Sequence, residues 1–218
     1  MARTGKQMPR LMDIGLEKLR NMVLDMAELS QNTVSTSIDA YVQGRDLRDR
    51  IYSWSEELRM LQDEVSELAV ELIARYQPVA SDLRFIKSCM EVAYGFSRFG
   101  RYAHDISDVI GIFGDLSNCD RQTIQEAGSQ AKDMIRVSIK AFTERDVELA
   151  GRLKKMDDVV DNIYLDFVKK SALEREGNLK CIVSGTLILR YLERIADHAT
   201  YVGETVPYIV SGERAARK

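Results

Sequence analysis

The sequence predicts an all-α protein made of two tandem, pseudo-symmetric three-helix bundles. Three observations carry that expectation. Only three prolines and thirteen glycines interrupt 218 residues, so long stretches run without a breaker. Apolar residues recur at steps of three and four. The second half of the chain also repeats the first when the two are slid against each other.

Residues 1 to about 12 carry Arg3, Lys6, Pro9 and Arg10 with no apolar stripe and read as a mobile lead-in. Leu19, Met22, Val23, Met26, Val34, Ile38 and Tyr41 then mark a first helix ending near Gly44. Trp54, Leu58, Leu61, Val65, Leu68 and Leu72 give the cleanest seam and a second helix, stopped at Gln77-Pro78. Ser81 and Asp82 are placed to cap a third helix running to about Gly114. The turn-forming run from Phe113 to Asn118 divides the chain. A fourth helix carries Ile124, Ala127, Ala131, Met134, Ser138 and Phe142, and a fifth carries Leu149, Leu153, Met156, Val160, Ile163 and Phe167. The sixth follows Gly177-Asn178 and runs to about Ser211-Gly212. The two repeats are expected at 13–115 and 119–213.

In the repeat, the third helix falls on the sixth at a shift of about 96 positions, pairing Leu83 with Leu179, Ile86 with Ile182, Arg98 with Arg194 and Ala103 with Ala199. Cys89, Gly100, Ala103 and Ser107 meet Gly185, Ala196, Ala199 and Gly203, so small residues that allow close helix approach also recur. The second and fifth helices need a larger shift, which sets Leu47, Ile51, Trp54 and Leu58 on Leu149, Leu153, Met156 and Val160. About six residues are therefore missing from the second copy at this point, and its fifth helix should be shorter.

A net charge of −3 and a pI near 5.6 lack the footprint of a nucleic-acid binder. No apolar run approaches the length that spans a bilayer, and the chain opens without an apolar signal core, which predicts a soluble, cytoplasmic protein. Cys89, Cys119 and Cys181 are odd in number and widely spaced, so reduced thiols are expected.

Two acidic clusters stand out. Glu193, Asp197 and Glu204 project within about 40° of one another on the sixth helix, beside its seam. Asp157, Asp158 and Asp161 make a second acidic cluster on the fifth helix, again next to a seam, with Asp157 and Asp161 one turn apart. Charges at such spacing often only decorate a solvated face. Two helices of one bundle presenting carboxylates together can instead converge oxygen ligands on a hard cation. His104 and His198 follow their seams and read as structural. No glutamate precedes either by three residues, because Arg101 and Ile195 stand there, so the paired Glu-x-x-His motif of a di-iron enzyme is missing. No Gly-x-Ser-x-Gly elbow or phosphate-cradling glycine loop occurs either, and no enzymatic activity is expected.

The run from Leu189 to Ala199, Leu-Arg-Tyr-Leu-Glu-Arg-Ile-Ala-Asp-His-Ala, resembles the signature of the PhoU family of phosphate-transport regulators. In the first copy, Gln77 to Arg84 resembles that family's inter-helix segment. The resemblance implies two three-helix repeats with surface metal sites. It also implies a non-enzymatic role restraining a high-affinity phosphate ABC transporter, through its ATPase subunit, and the sensor histidine kinase. Carried over by position, it puts Glu193 and Asp197 in a site on the sixth helix and Asp157, Asp158 and Asp161 facing them on the fifth, with iron or another divalent or trivalent metal cluster as ligand. A homodimer is expected, meeting the membrane only through its partners. In the first copy these positions become Ser97, Arg101, Ser55, Glu56 and Arg59, which predicts a degenerate site there, locally basic enough to hold an anion. The alternative is a helical scaffold, or an accessory subunit of another ion transporter, without metal dependence.

Overall fold

The computed structural model describes residues 10–119, 121–173 and 177–213, all of whose regular structure is helical. Six helices run in order: α1 Leu11–Gln43, α2 Arg48–Tyr76, α3 Ala80–Phe113, α4 Gln122–Glu144, α5 Val147–Leu173 and α6 Leu179–Ser211. The expected lead-in falls mostly on residues 1–9, outside the described residues, while its last two positions already belong to α1. Helix α5 is described over 27 residues, as far as Leu173, against 29 for α2, and the positions that would decide the expected shortening, 174–176, lie outside the described residues.

Helices α1, α2 and α3 pack on one another, as do α4, α5 and α6, and the two groups meet mainly through α3 and α6. Both central helices present small residues where neighbours come close. A Cβ on Gly95 of α3 would stand 2.8 Å from Val202 of α6, and one on Gly100 would stand 3.2 Å from the Cα of Ser55 on α2. Helix α1 also touches α4, where Lys132 Nζ lies 2.7 Å from Asp39 and Arg121 donates to the Val42 carbonyl at 2.8 Å. The buried side chains form one continuous core through both repeats, with Phe96, Phe99, Leu19, Met26, Ile51, Met134 and Leu153 fully enclosed.

Three expectations are corrected. Ser81 and Asp82 do not cap α3; its N-cap is the extended Val79, and both residues lie inside the first turn, where the Asp82 amide donates to the Val79 carbonyl. By contrast, the Asn178 side chain caps α6, accepting from the amides of Lys180 and Cys181. The α2 seam is rotated from the apolar one: Ser55 and Ala69 are buried, while Trp54, Leu61 and Leu68 are half-buried. Trp54 instead carries the Arg50 guanidinium at 4.4 Å from its ring centre. Small residues take the closest approach because α3 leaves no room for an indole there. Finally, Cys119 and Cys181 are joined in a disulfide, although 62 positions separate them, and only Cys89 is a free thiol. Burial pushes the Cys89 thiol up to about 12, so it behaves as a small apolar side chain.

Candidate metal centre

The rotation of the α2 seam has a counterpart in α5, and it builds the site. Leu153, Asp157 and Val160 are the buried residues of α5, in the register of Ile51, Ser55 and Leu58 on α2. Where the first copy buries the Ser55 hydroxyl, the second buries the Asp157 carboxylate. Asp157 is only 6 % exposed. On α6, Glu193 sits between Leu192 and Ile195 on the packed face and is itself buried, at 9 %. Asp161 and Asp197 are half-buried beside them, Asp158 is exposed at the rim, and Glu204 is half-buried two turns further along α6.

Burying carboxylates together raises their affinity for protons. Asp157 is pushed up to about 6, first by loss of hydration and then by the charges of Asp161 and Asp197. Glu193 is pushed up to about 7, again by burial first and then by Asp197, with Arg190 opposing. Asp161 and Asp197 are raised as well, each chiefly by burial. Arginines supply part of the compensation. Arg190 donates to Glu193 at 2.6 Å and Arg194 to Asp197 at 3.1 Å. Yet Asp157 Oδ1, Asp161 Oδ1 and Glu193 Oε2 are buried without a hydrogen-bond partner. Glu193 Oε2 is held only by the Arg194 Nε ion pair at 3.4 Å, and with the two unpartnered oxygens of α5 it makes a donor set of the chemistry that suits a hard cation, which would supply the missing charge and ligand bonds together.

Among the described residues, the grouping of three metal-type donors within 4.8 Å of one another lies elsewhere, in His104, Asp105 and Asp108 on α3, and the carboxylates of α5 and α6 do not come together that closely. Sequence reasoning passed over them, although the signal was present in a histidine and an aspartate one turn apart. These donors are already engaged. Arg101 pairs with Asp105 at 3.1 Å, His104 Nε2 lies 3.6 Å from Asp108, and the imidazole packs on Tyr52 at 5.1 Å between ring centres. The arginines of the first copy are likewise occupied, Arg101 by Asp105 and Arg59 by Glu56 and Asp63 at 3.2 and 3.4 Å, so they are not held out for a free anion.

His198 points away from the carboxylates and into the α3–α6 interface, among the rings of Tyr94, Tyr102 and Tyr201. Burial, followed by the Arg98 charge, lowers it to about 4, and Arg98 itself stacks on Tyr102 while donating to its hydroxyl at 2.7 Å.

Six long helices in two like bundles, the second with a carboxylate cluster between α5 and α6, define a helical-bundle protein. Comparison with known proteins makes the class specific. The PhoU domain family matches residues 23–110 and again 124–206. A phosphate-specific transport system accessory protein PhoU homolog from Synechocystis is 30 % identical over 203 residues, covering 91 % of each chain. The PhoU accessory protein of Escherichia coli is 25 % identical, covering 91 % of this chain and 84 % of its own. The crystal structure of PhoU from Pseudomonas aeruginosa superposes with a TM-score of 0.85 at 27 % identity, covering 92 % of this chain and 99 % of that one. The PhoU regulatory protein of Streptococcus pneumoniae shares the fold, with a TM-score of 0.87 at 20 % identity. This chain belongs to the PhoU family, a non-enzymatic family of phosphate-transport accessory and regulatory proteins, and carries two PhoU domains.

Proposed function

We propose that this protein regulates phosphate uptake and phosphate signalling by contact, binding the ATPase subunit of a phosphate ABC transporter and its sensor histidine kinase. The supporting observation is the match of both repeats to the family, together with relatives named as phosphate-specific transport system accessory proteins. No described helix is long and apolar enough to cross a membrane, which suits a cytoplasmic homodimer that reaches the membrane through those partners. Its repeats occupy 13–115 and 119–213.

A metal, iron or another divalent or trivalent ion or cluster, is held in the second repeat by Asp157, Asp161, Glu193 and Asp197, with Asp158 at the rim. Its charge offsets the mutual repulsion of these groups and fixes the relative position of α5 and α6. The first repeat, with Ser55, Ser97 and Arg101 in the corresponding places, holds no equivalent ion. The test is co-purification with the transporter ATPase subunit combined with elemental analysis, on the natural protein and on the Glu193→Gln, Asp197→Asn double variant. Retention of the ATPase by the natural protein, with metal in the second repeat only, is expected. Failure to retain the ATPase would overturn the partner assignment, and unchanged metal content in the double variant would overturn the site.

A further inference from the structure

A second feature, separate from the carboxylates, sits where the two repeats join. Gly114, with a φ of +65°, ends α3, and the segment that follows crosses to α4. Its ties to the second repeat are concentrated at one place. The Asp115 carbonyl accepts from Lys180 Nζ at 2.7 Å, and Cys119 is bonded to Cys181, both at the start of α6. Leu116 is buried in the core, and its carbonyl accepts from the Cys119 amide at 3.1 Å.

The disulfide is accessible. Both cysteines are half-buried and line a cleft of ≈ 510 Å³ whose other walls include Glu126 of α4, Phe167 and Lys170 of α5 and Ile182 of α6. Its two sulfurs are also chemically unequal. Cys181 lies in the first turn of α6, and its amide is held by the Asn178 cap, so a thiolate there faces the positive end of the helix. Cys119 lies in the connecting segment, two residues before the Arg121 N-cap of α4 and outside any helical turn. Cys181 is therefore the better leaving group and Cys119 the sulfur that an incoming thiolate attacks.

We propose that Cys119–Cys181 is a reversible redox staple that locks the inter-repeat segment onto α6 and, when reduced, releases it and opens the cleft. The reductant is a dithiol. One of its thiolates attacks Cys119 Sγ, the Cys119–Cys181 bond breaks, and the electron pair leaves with Cys181 as a thiolate that then takes a proton. The second thiol of the reductant, as its thiolate, attacks the mixed disulfide, releasing Cys119 and forming the reductant's own disulfide. Two electrons and two protons pass to the protein, and re-oxidation by a disulfide of the same class reverses each step. In a reducing compartment such bonds persist as transient, regulatory ones. This proposal goes beyond the phosphate-transport reading and does not depend on it.

The experiment compares the full chain as purified without reductant, after dithiothreitol, and after re-oxidation by oxidised glutathione. Alkylation by N-ethylmaleimide is read by mass spectrometry, and backbone hydrogen exchange is followed in parallel. The oxidised chain should resist alkylation at Cys119 and Cys181, and dithiothreitol should expose both without denaturant. Cys89, being buried, is the internal control that stays protected in either state. Exchange at 115–119 and in the first turns of α6 should quicken about tenfold on reduction, as expected for local opening, while the middle of α1 stays unchanged. Cys119→Ala and Cys181→Ala should each reproduce the reduced pattern and lose the response to dithiothreitol. The proposal is overturned if the natural chain never forms the bond, if folded protein resists dithiothreitol, if exchange at 115–119 ignores reduction, or if reduction quickens exchange throughout the chain.

Discussion

Replacing Glu193 by glutamine should make the metal-free protein more stable at pH 8 while removing its stabilisation by metal. In the metal-free chain the Glu193 carboxyl is pushed up from 4.5 to about 7. The native state therefore retains a proton that the unfolded state loses between about pH 4.5 and 7, so native stability falls as pH rises through that window. A carboxyl moved that far loses roughly 3 kcal/mol between acid and alkaline conditions, and the retained Arg190 hydrogen bond makes about 1–3 kcal/mol the realistic gain from Glu193→Gln. For a protein of this size, that corresponds to a rise in Tm of about 2–12 °C. Glutamine keeps the volume and can still accept from Arg190 while carrying no charge for a cation to neutralise. The assay is thermal unfolding after chelation, at pH 5 and pH 8, with and without added manganese or ferric iron. Because the buried His198, held down to about 4, works in the opposite direction below pH 6.5, the readout is the difference between the two chains: without metal, Glu193→Gln should gain more over the natural chain at pH 8 than at pH 5, and added metal should stabilise the natural chain at pH 8. A Glu193→Gln advantage that does not grow from pH 5 to pH 8, or a Glu193→Gln variant destabilised at pH 8, would refute the reasoning that these carboxylates are packed against their own repulsion.

Gly100→Ala should cost about 1–3 kcal/mol in urea unfolding, because its Cβ meets the backbone of Ser55 at 3.2 Å, where nothing flexible can yield. Gly151→Ala, on the exposed face of α5 with open space around it, should stabilise by about 0.5–1 kcal/mol in the same assay. Placing Asp at 55, Glu at 97 and Asp at 101 should raise bound metal by one further site per chain in elemental analysis; unchanged stoichiometry would show that the two copies are not geometrically equivalent.

How much was legible in the sequence varied with the range of the interaction. Helix boundaries set by local chemistry, such as Gly44 after α1 or Asn178 before α6, were visible because the residue that ends or caps a helix lies beside it in the chain. The α3 cap was misread because Pro78 and the extended Val79 fixed the entry before Ser81 could. The seam of α2 followed the largest apolar side chains in the sequence. In the structure Leu58, Val65 and Leu72 stay buried, but Ser55 and Ala69 replace Trp54, Leu61 and Leu68 on the packed face, where Gly100 of α3 comes close to Ser55. The same rotation buries Asp157 and exposes its neighbour Asp158, a distinction that one helix projected alone cannot make. The pairing of Cys119 with Cys181 depends wholly on the connecting segment returning past α6, which no local spacing records.

Tyr102 and His198, 96 positions apart, occupy the same place in the two copies of the repeat, and their rings meet at 5.7 Å. A residue that touches its own counterpart marks a two-fold axis, here running between α3 and α6 within a single chain. Half of this protein, translated alone, would present the matching face to a second half and could assemble as a pair of identical subunits. Joining the halves end to end makes that encounter intramolecular, so it no longer depends on concentration. It also lifts the requirement that a mutation appear twice. The axis is preserved in the backbone, while the side chains on either side have been free to diverge into tyrosine and histidine at its centre, and into serine and aspartate at 55 and 157.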